Sequence, residues 1–281
     1  MARKRANLTD LLNNLTFRVI YDKFRLIAMN AFKWEGLPDG ILERHVEREL
    51  FRHGKAIFYK KPDHGFMCLE VTDGAGVNPY GDPLFYQAHG FGVMDHIDAD
   101  HCVIIENNML RLSTHDFVMF YTNKIAEAER TMDVNVKSNK TPVVVLCDDK
   151  DVLSFKRLFQ EVDGNVPAIF ADRSMNIDAV SSLDLKVKFL GGELMDYKHS
   201  VEAELLTFLG INNPAVDKKE RLITDEANSN NELIASFFEL QLEARKRACE
   251  EINAMFGLNV SVERRRPVEI SVESEDNSDD S

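Results

Sequence analysis

No stretch of this 281-residue chain is apolar for long. The longest uninterrupted runs, residues 117–121 (FVMFY) and 143–147 (VVVLC), are five residues each, against the roughly 20 that a membrane-spanning helix needs. Cysteine is scarce: Cys68, Cys102, Cys147 and Cys249 are far apart, with no CxxC pair. That spacing argues against a disulfide scaffold or zinc finger and suits reduced, buried thiols in a reducing compartment. Neither GxxxxGK[ST] nor GxSxG occurs, so nucleotide hydrolysis and α/β-hydrolase chemistry lack their usual sequence support. The basic start, Arg3, Lys4 and Arg5, is followed by Asn7, Thr9, Asp10 and Asn13. This is not the apolar segment of a signal peptide, and the expectation is a protein that stays where it is made.

What the sequence does contain is the material of a core. Hydrophobic residues make up 44% and charged residues 29%, an ordinary globular balance. The net charge of −13 is uneven: residues 1–5 carry +3, and residues 269–281 carry −6 with no basic residue. That Ser-rich acidic end is expected to be disordered.

Over residues 9–34, Phe17, Tyr21, Phe24, Ala28 and Ala31 recur at helical spacing, and Gly36 and Pro38 end the helix. A second helix over residues 40–53 stops at Gly54, and short strands are expected over residues 55–59, 66–71, 85–89 and 102–105. Between them lies a Gly- and Pro-rich loop, residues 73–83. Thr114 caps a long helix reaching about residue 136, with Phe117, Tyr121, Ile125, Ala128 and Met132 on one stripe. Residues 143–147, 154–161 and 166–171 read as strand, helix, strand, and residues 193–209 as a helix capped by Gly210. The polar segment 212–231 is longer than compact domains usually leave unstructured without a use. A last helix carries Leu233, Phe237, Leu240, Ala244, Ala248, Ile252 and Met255 on one face and ends at Gly257. The expected class is α+β, a strand module set in a helical frame.

The most enzyme-like spot is residues 95–102, where Asp95, His96, Asp98, Asp100, His101 and Cys102 crowd donors of metal-ligand type together. A metal-dependent hydrolase built on this cluster is one reading. A charged loop before a strand is the other, since His96 and His101 are five apart rather than on one helical face.

Several uncommon blocks point elsewhere. These are residues 140–145 (KTPVVV), 164–171 (GNVPAIFA), 207–211 (TFLGI), 218–226 (KKERLITDE), 248–253 (ACEEIN) and 257–260 (GLNV), with the start MARKR and the pair Trp34, Glu35. In this order the chain resembles the head-tail connector (portal, upper collar) proteins of small short-tailed bacteriophages with protein-primed DNA replication. The resemblance implies a portal fold with long stem helices, a small β-rich wing module and an α/β clip insertion. It maps residues 1–113 to an N-terminal arm and wing, 114–139 to a stem helix, 140–190 to the clip and 191–210 to a second stem helix. Residues 211–231 become a channel loop, 232–262 a wing or crown-side helix and strand, and 263–281 the acidic tail.

The same resemblance implies a twelve-fold ring at one capsid vertex, the route by which double-stranded DNA enters and leaves. Implied partners are the packaging ATPase, a packaging RNA, capsid and scaffolding proteins and the lower collar or tail protein. The implied location is the virion, with the host cytoplasm during assembly, and no catalysis, cofactor, metal or membrane is expected. Arg3, Lys4 and Arg5 would bind nucleic acid through counterion release. Lys186, Lys188 and Lys198, and Lys218, Lys219 and Arg221 of the loop, would present rings of positive charge to DNA inside an acidic tube. Ordinary solvated lysines are the alternative.

Overall fold

The computed structural model describes residues 8–62, 64–139, 143–147, 168–172, 188–212 and 224–265. The chain divides into two units, Met1–Ile20 with Tyr121–Glu204, and Tyr21–Phe120 with Leu205–Ser281.

In the second unit a five-stranded antiparallel sheet is built from β2 (Lys55–Lys61), β3 (Gly65–Asp73), β4 (Phe85–Gly90), β5 (Val93–Asp98) and β6 (Cys102–Glu106), in the order β5-β4-β3-β2-β6. Alternation along the strands sends side chains to opposite faces. Ala56, Phe58, Cys68, Val103 and Ile105 join one cluster with Val46 and Leu50 of α2 (Glu43–His53) and Phe238, Leu242 and Ile252 of the last helix. Ile57, Tyr59, Val71, Tyr86, Ala88 and Cys102 pack on the other face. The register Phe58↔Cys68 and Phe58↔Val103 puts the three partners side by side on the first face.

Gly54 ends α2 at φ +74°, and its N–H donates to Leu50 O at 3.0 Å. A Cβ there would lie 2.0 Å from the Arg111 carbonyl oxygen, so both the left-handed backbone and the close approach require glycine.

The four expected strands are all present, and the sequence reading missed two others. β5, residues Val93–Asp98, was assigned no strand, and residues from Asp95 on were read as either a metal-ligand cluster or a charged loop; it is an edge strand whose polar composition (VMDHID) hides the alternation. Phe32–Glu35, expected to be the end of the first helix, is strand β1, because that helix, α1 (Leu8–Met29), stops short of it. β1 pairs with β9 (Ser261–Arg264) in the register Trp34↔Val262, joining distant parts of the chain.

α3 runs over Thr114–Ser138, and the helix expected near residues 193–209 is α4, Gly191–Phe208. β7 (Val143–Cys147) and β8 (Ala168–Asp172) form a parallel pair, in agreement with the strand, helix, strand reading; the expected helix at 154–161 lies outside the described residues.

The last helix, α5, covers Thr224–Phe256, so it begins eight residues ahead of the expected residue 232, and only residues before Thr224 can be loop. Its buried face is offset from the expected one: Ala244, Ala248 and Ile252 are buried as expected and Phe237 is half-buried. Ile234, Phe238, Leu242, Arg245, Cys249 and Ile252 are buried, while Leu233, Leu240 and Met255 are exposed. The cause is Arg245: an arginine in the true stripe makes the neighbouring stripe look more apolar.

Candidate functional site

Of the basic residues singled out from sequence, Arg3, Lys4, Arg5, Lys186, Lys218, Lys219 and Arg221 lie outside the described residues. Lys188 and Lys198 are described, both in the unit of Met1–Ile20 and Tyr121–Glu204. Asn135, buried on α3, holds the approach to α4 from two sides: its Nδ2 donates to Lys188 O and its Oδ1 accepts from Leu190 N–H, each at 2.9 Å. That clamp fixes where α4 starts.

Lys188, with 74% of its side chain exposed, pairs with Glu193 Oε1 at 2.7 Å. Lys198, only 19% exposed, reaches across to Glu129 of α3. Both charges therefore have an acidic partner, but the consequences differ. An exposed pair contributes about 0–1 kcal/mol, so Lys188 can exchange Glu193 for a phosphate at little cost. Lys198 is more enclosed and holds the α3–α4 packing; releasing it would leave Glu129 short of a partner.

The donors at residues 95–102 do not converge. β5 alternates, placing Asp95 and His96 on opposite faces. Asp95 accepts hydrogen bonds from Tyr59 Oη at 2.7 Å and Lys61 Nζ at 2.8 Å. These bonds, Lys61 first and Tyr59 second, hold its carboxyl below the ordinary value. His96 meets Gln87 on β4, and His101 lies 3.8 Å from Asp98 in an exposed pair. Cys102 is buried with its Sγ toward the Asp98 and Ala99 carbonyls. Burial, then the charges of Asp100 and Asp98, push its thiol up to about 11. No three of these side chains could share an ion, and the hydrolase reading finds no support in the geometry.

Sequence reasoning missed a buried polar node. Arg245, 2% exposed, gives two 2.9 Å bonds to the Glu47 carboxylate, one from Nε and one from Nη2. It also donates to the Asn107 carbonyl at 3.1 Å and to Asn107 Oδ1 at 2.9 Å. Trp34 Nε1 donates to Glu47 Oε1 at 2.8 Å, and the guanidinium lies 3.9 Å from the Phe32 ring centroid. The node ties β1, α2, α5 and the turn before α3 together. The available signal was an arginine at helical spacing from Phe238, Leu242, Cys249 and Ile252.

The chain is similar to a solved structure described as the portal and tail of native bacteriophage P68, at 16% identity, 96% of this chain and 95% of that one, with a TM-score of 0.49. It is similar to the HK97 family phage portal protein from Corynebacterium diphtheriae at 10% identity, 94% and 96% coverage and a TM-score of 0.45. A chain of the virion of a native gene transfer agent particle matches at 10% identity, 89% and 79% coverage and a TM-score of 0.43. None of the three reaches a TM-score of 0.5, so the assignment rests on sequence. The family model described as Phage Connector (GP10) matches residues 2–269, nearly the whole chain. This chain belongs to the phage connector family.

Proposed function

We propose that the protein is one subunit of a portal ring at a single capsid vertex, through which double-stranded DNA is packaged and ejected and on which packaging motor and tail dock. The observation that carries this reading is the family match over residues 2–269. The surface of the chain supports assembly with copies of itself. Leu15, Val19 and Leu26 on α1, Phe120 on α3, and Leu233 and Leu240 on α5 are all exposed, and such side chains are available to be covered by neighbouring copies.

The role is geometric rather than catalytic. The net charge of −13 suits a lumen that repels phosphates, with weak basic points such as Lys188 acting as brief contacts. Lys186, Lys218, Lys219 and Arg221 would add to these, and Lys198 contributes chiefly by pairing with Glu129. The start, Arg3, Lys4 and Arg5, would meet a packaging RNA or the motor. The channel loop is proposed within residues 211–231, of which those from Thr224 onward are helical. Twelve copies are proposed, as in the family it resembles.

The test is particle assembly with and without this chain. Heads made in its absence should lack both packaged DNA and attached tails, and adding the wild-type gene should restore both. Full, tailed heads formed without it would refute the proposal.

A further inference from the structure

Glu49 and His53 lie four residues apart on α2, one turn of one face, and the chain then turns at Gly54 into the sheet. On β3, alternation puts Phe66, Cys68 and Glu70 on the side facing α2, with Met67, Leu69 and Val71 on the other. Helix and strand thus bring Glu49, His53 and Glu70 together. One ligand atom from each lies within 4.8 Å of the others, the single such group of His, Cys, Asp or Glu among the described residues.

His53 sits in two long ion pairs that are not hydrogen bonds. His53 Nε2 is 3.6 Å from Glu49 Oε2 and 3.6 Å from Glu70 Oε2, past the roughly 2.7–3.2 Å of a good N–H···O bond. These two separations are close to the edge length of a tetrahedral site. Zinc bonds to nitrogen and oxygen of about 2.0–2.2 Å place neighbouring ligand atoms about 3.4 Å apart.

The outer oxygen of the buried carboxylate is also fixed. Arg48 Nε and Nη2 both sit 2.6 Å from Glu49 Oε1, which leaves Oε2 as the oxygen turned to His53. An outer partner that orients one carboxylate oxygen is the usual support of a metal ligand. Cys68 is not part of this group of donors.

We propose that Glu49 Oε2, His53 Nε2 and Glu70 Oε2 bind a divalent transition cation, zinc by geometry and donor set, with water completing the coordination. One nitrogen and two oxygens with an open fourth position suit Zn²⁺ better than Ca²⁺ or Mg²⁺, which take six or more oxygens. The ion clamps the end of α2 to β3. The proposal stands apart from the ring, since all three ligands come from one subunit.

The test is calorimetric titration of zinc chloride into the full-length protein after chelator dialysis, for wild type, His53→Gln and Glu70→Gln. Both changed side chains are partly open, and circular dichroism checks that each variant is folded. The chain has eight histidines, so the comparison between proteins, not total uptake, isolates the site. Wild type should bind one equivalent that both variants bind at least about 100-fold more weakly, the upper end of what loss of an outer-shell partner alone costs. Cobalt chloride in place of zinc should give the intense visible bands of a tetrahedral site in wild type, a readout that needs no variant. Identical isotherms for all three proteins, no zinc binding by wild type, or weak octahedral cobalt bands would each overturn the proposal.

Discussion

Arg245 carries a full charge in the middle of a buried helix face. An uncompensated buried charge costs several kcal/mol, so it persists only because Glu47, Asn107 and Trp34 complete its network. Arg245→Met should therefore cost about 3–5 kcal/mol, read from the urea unfolding midpoint, because it leaves Glu47 buried without its counter-charge. Adding Glu47→Gln to that variant should recover much of the loss; an Arg245→Met midpoint equal to wild type would show that the node contributes nothing.

Asp95 makes the stability of the fold depend on pH. Its carboxyl is held below the ordinary value by Lys61 and Tyr59, so it stabilises the fold above its unfolded value, about 3.9, and loses that effect as pH falls through the lower folded value. Asp95→Asn should be less stable than wild type at pH 7, and the gap in thermal midpoint should close below about pH 4. A gap that stays constant with acid would remove the ionised pair from the account. Neither residue's role was legible in sequence. A lone arginine in an apolar stripe reads as the margin of a polar face, and Asp95 looked like a metal donor because its partners, Tyr59 and Lys61, lie more than thirty residues away on another strand.

The elements were more legible than the residues, for local reasons. Gly54, Gly210 and Gly257 were read as helix ends and all three adopt positive φ there, a conformation that costs other residues steric strain. Strands β2, β3, β4 and β6 showed through because each has a buried face to write into the sequence. β1 and β5 were not legible: β1 is four residues long and needs β9, more than 220 residues later, to become a strand at all, and β5 is an edge with polar side chains. The offset face of α5 has a consequence for assembly. Leu240, 52% exposed, and Leu233, 51% exposed, both on α5, add little to the fold of a single subunit. If ring contacts cover them, Leu240→Asp and Leu233→Asp should leave secondary structure and unfolding midpoint near wild type yet prevent assembly, since each would bury an unpaired carboxylate between subunits. Size-exclusion chromatography with light scattering reads the outcome, and rings of normal size from both variants would place these side chains away from any contact.

At the scale of the whole molecule, the order of sequence blocks revealed the family while the physics of the chain revealed only its class. Composition and periodicity lead to an α+β protein with an acidic charge balance; they contain nothing about copy number, because a subunit contact is written in the same apolar residues as any exposed patch. The connector assignment came from residues 140–145, 164–171, 207–211, 218–226, 248–253 and 257–260 taken together, and the family match spans all of them. The clip helix, the channel loop and the basic start lie outside the described residues, so their parts in the ring are proposals that follow from that assignment. Everything proposed about DNA, motor and tail depends on closure into a ring, because a heterologous contact that fails to close yields filaments instead. The direct measurement is electron microscopy of the purified full-length chain with rotational averaging of the particles. The account predicts closed rings with twelve-fold symmetry and an open axial hole, at about twelve times the 32.0 kDa chain mass. A population of monomers or open filaments, with no closed rings under conditions where the chain is folded, would contradict it.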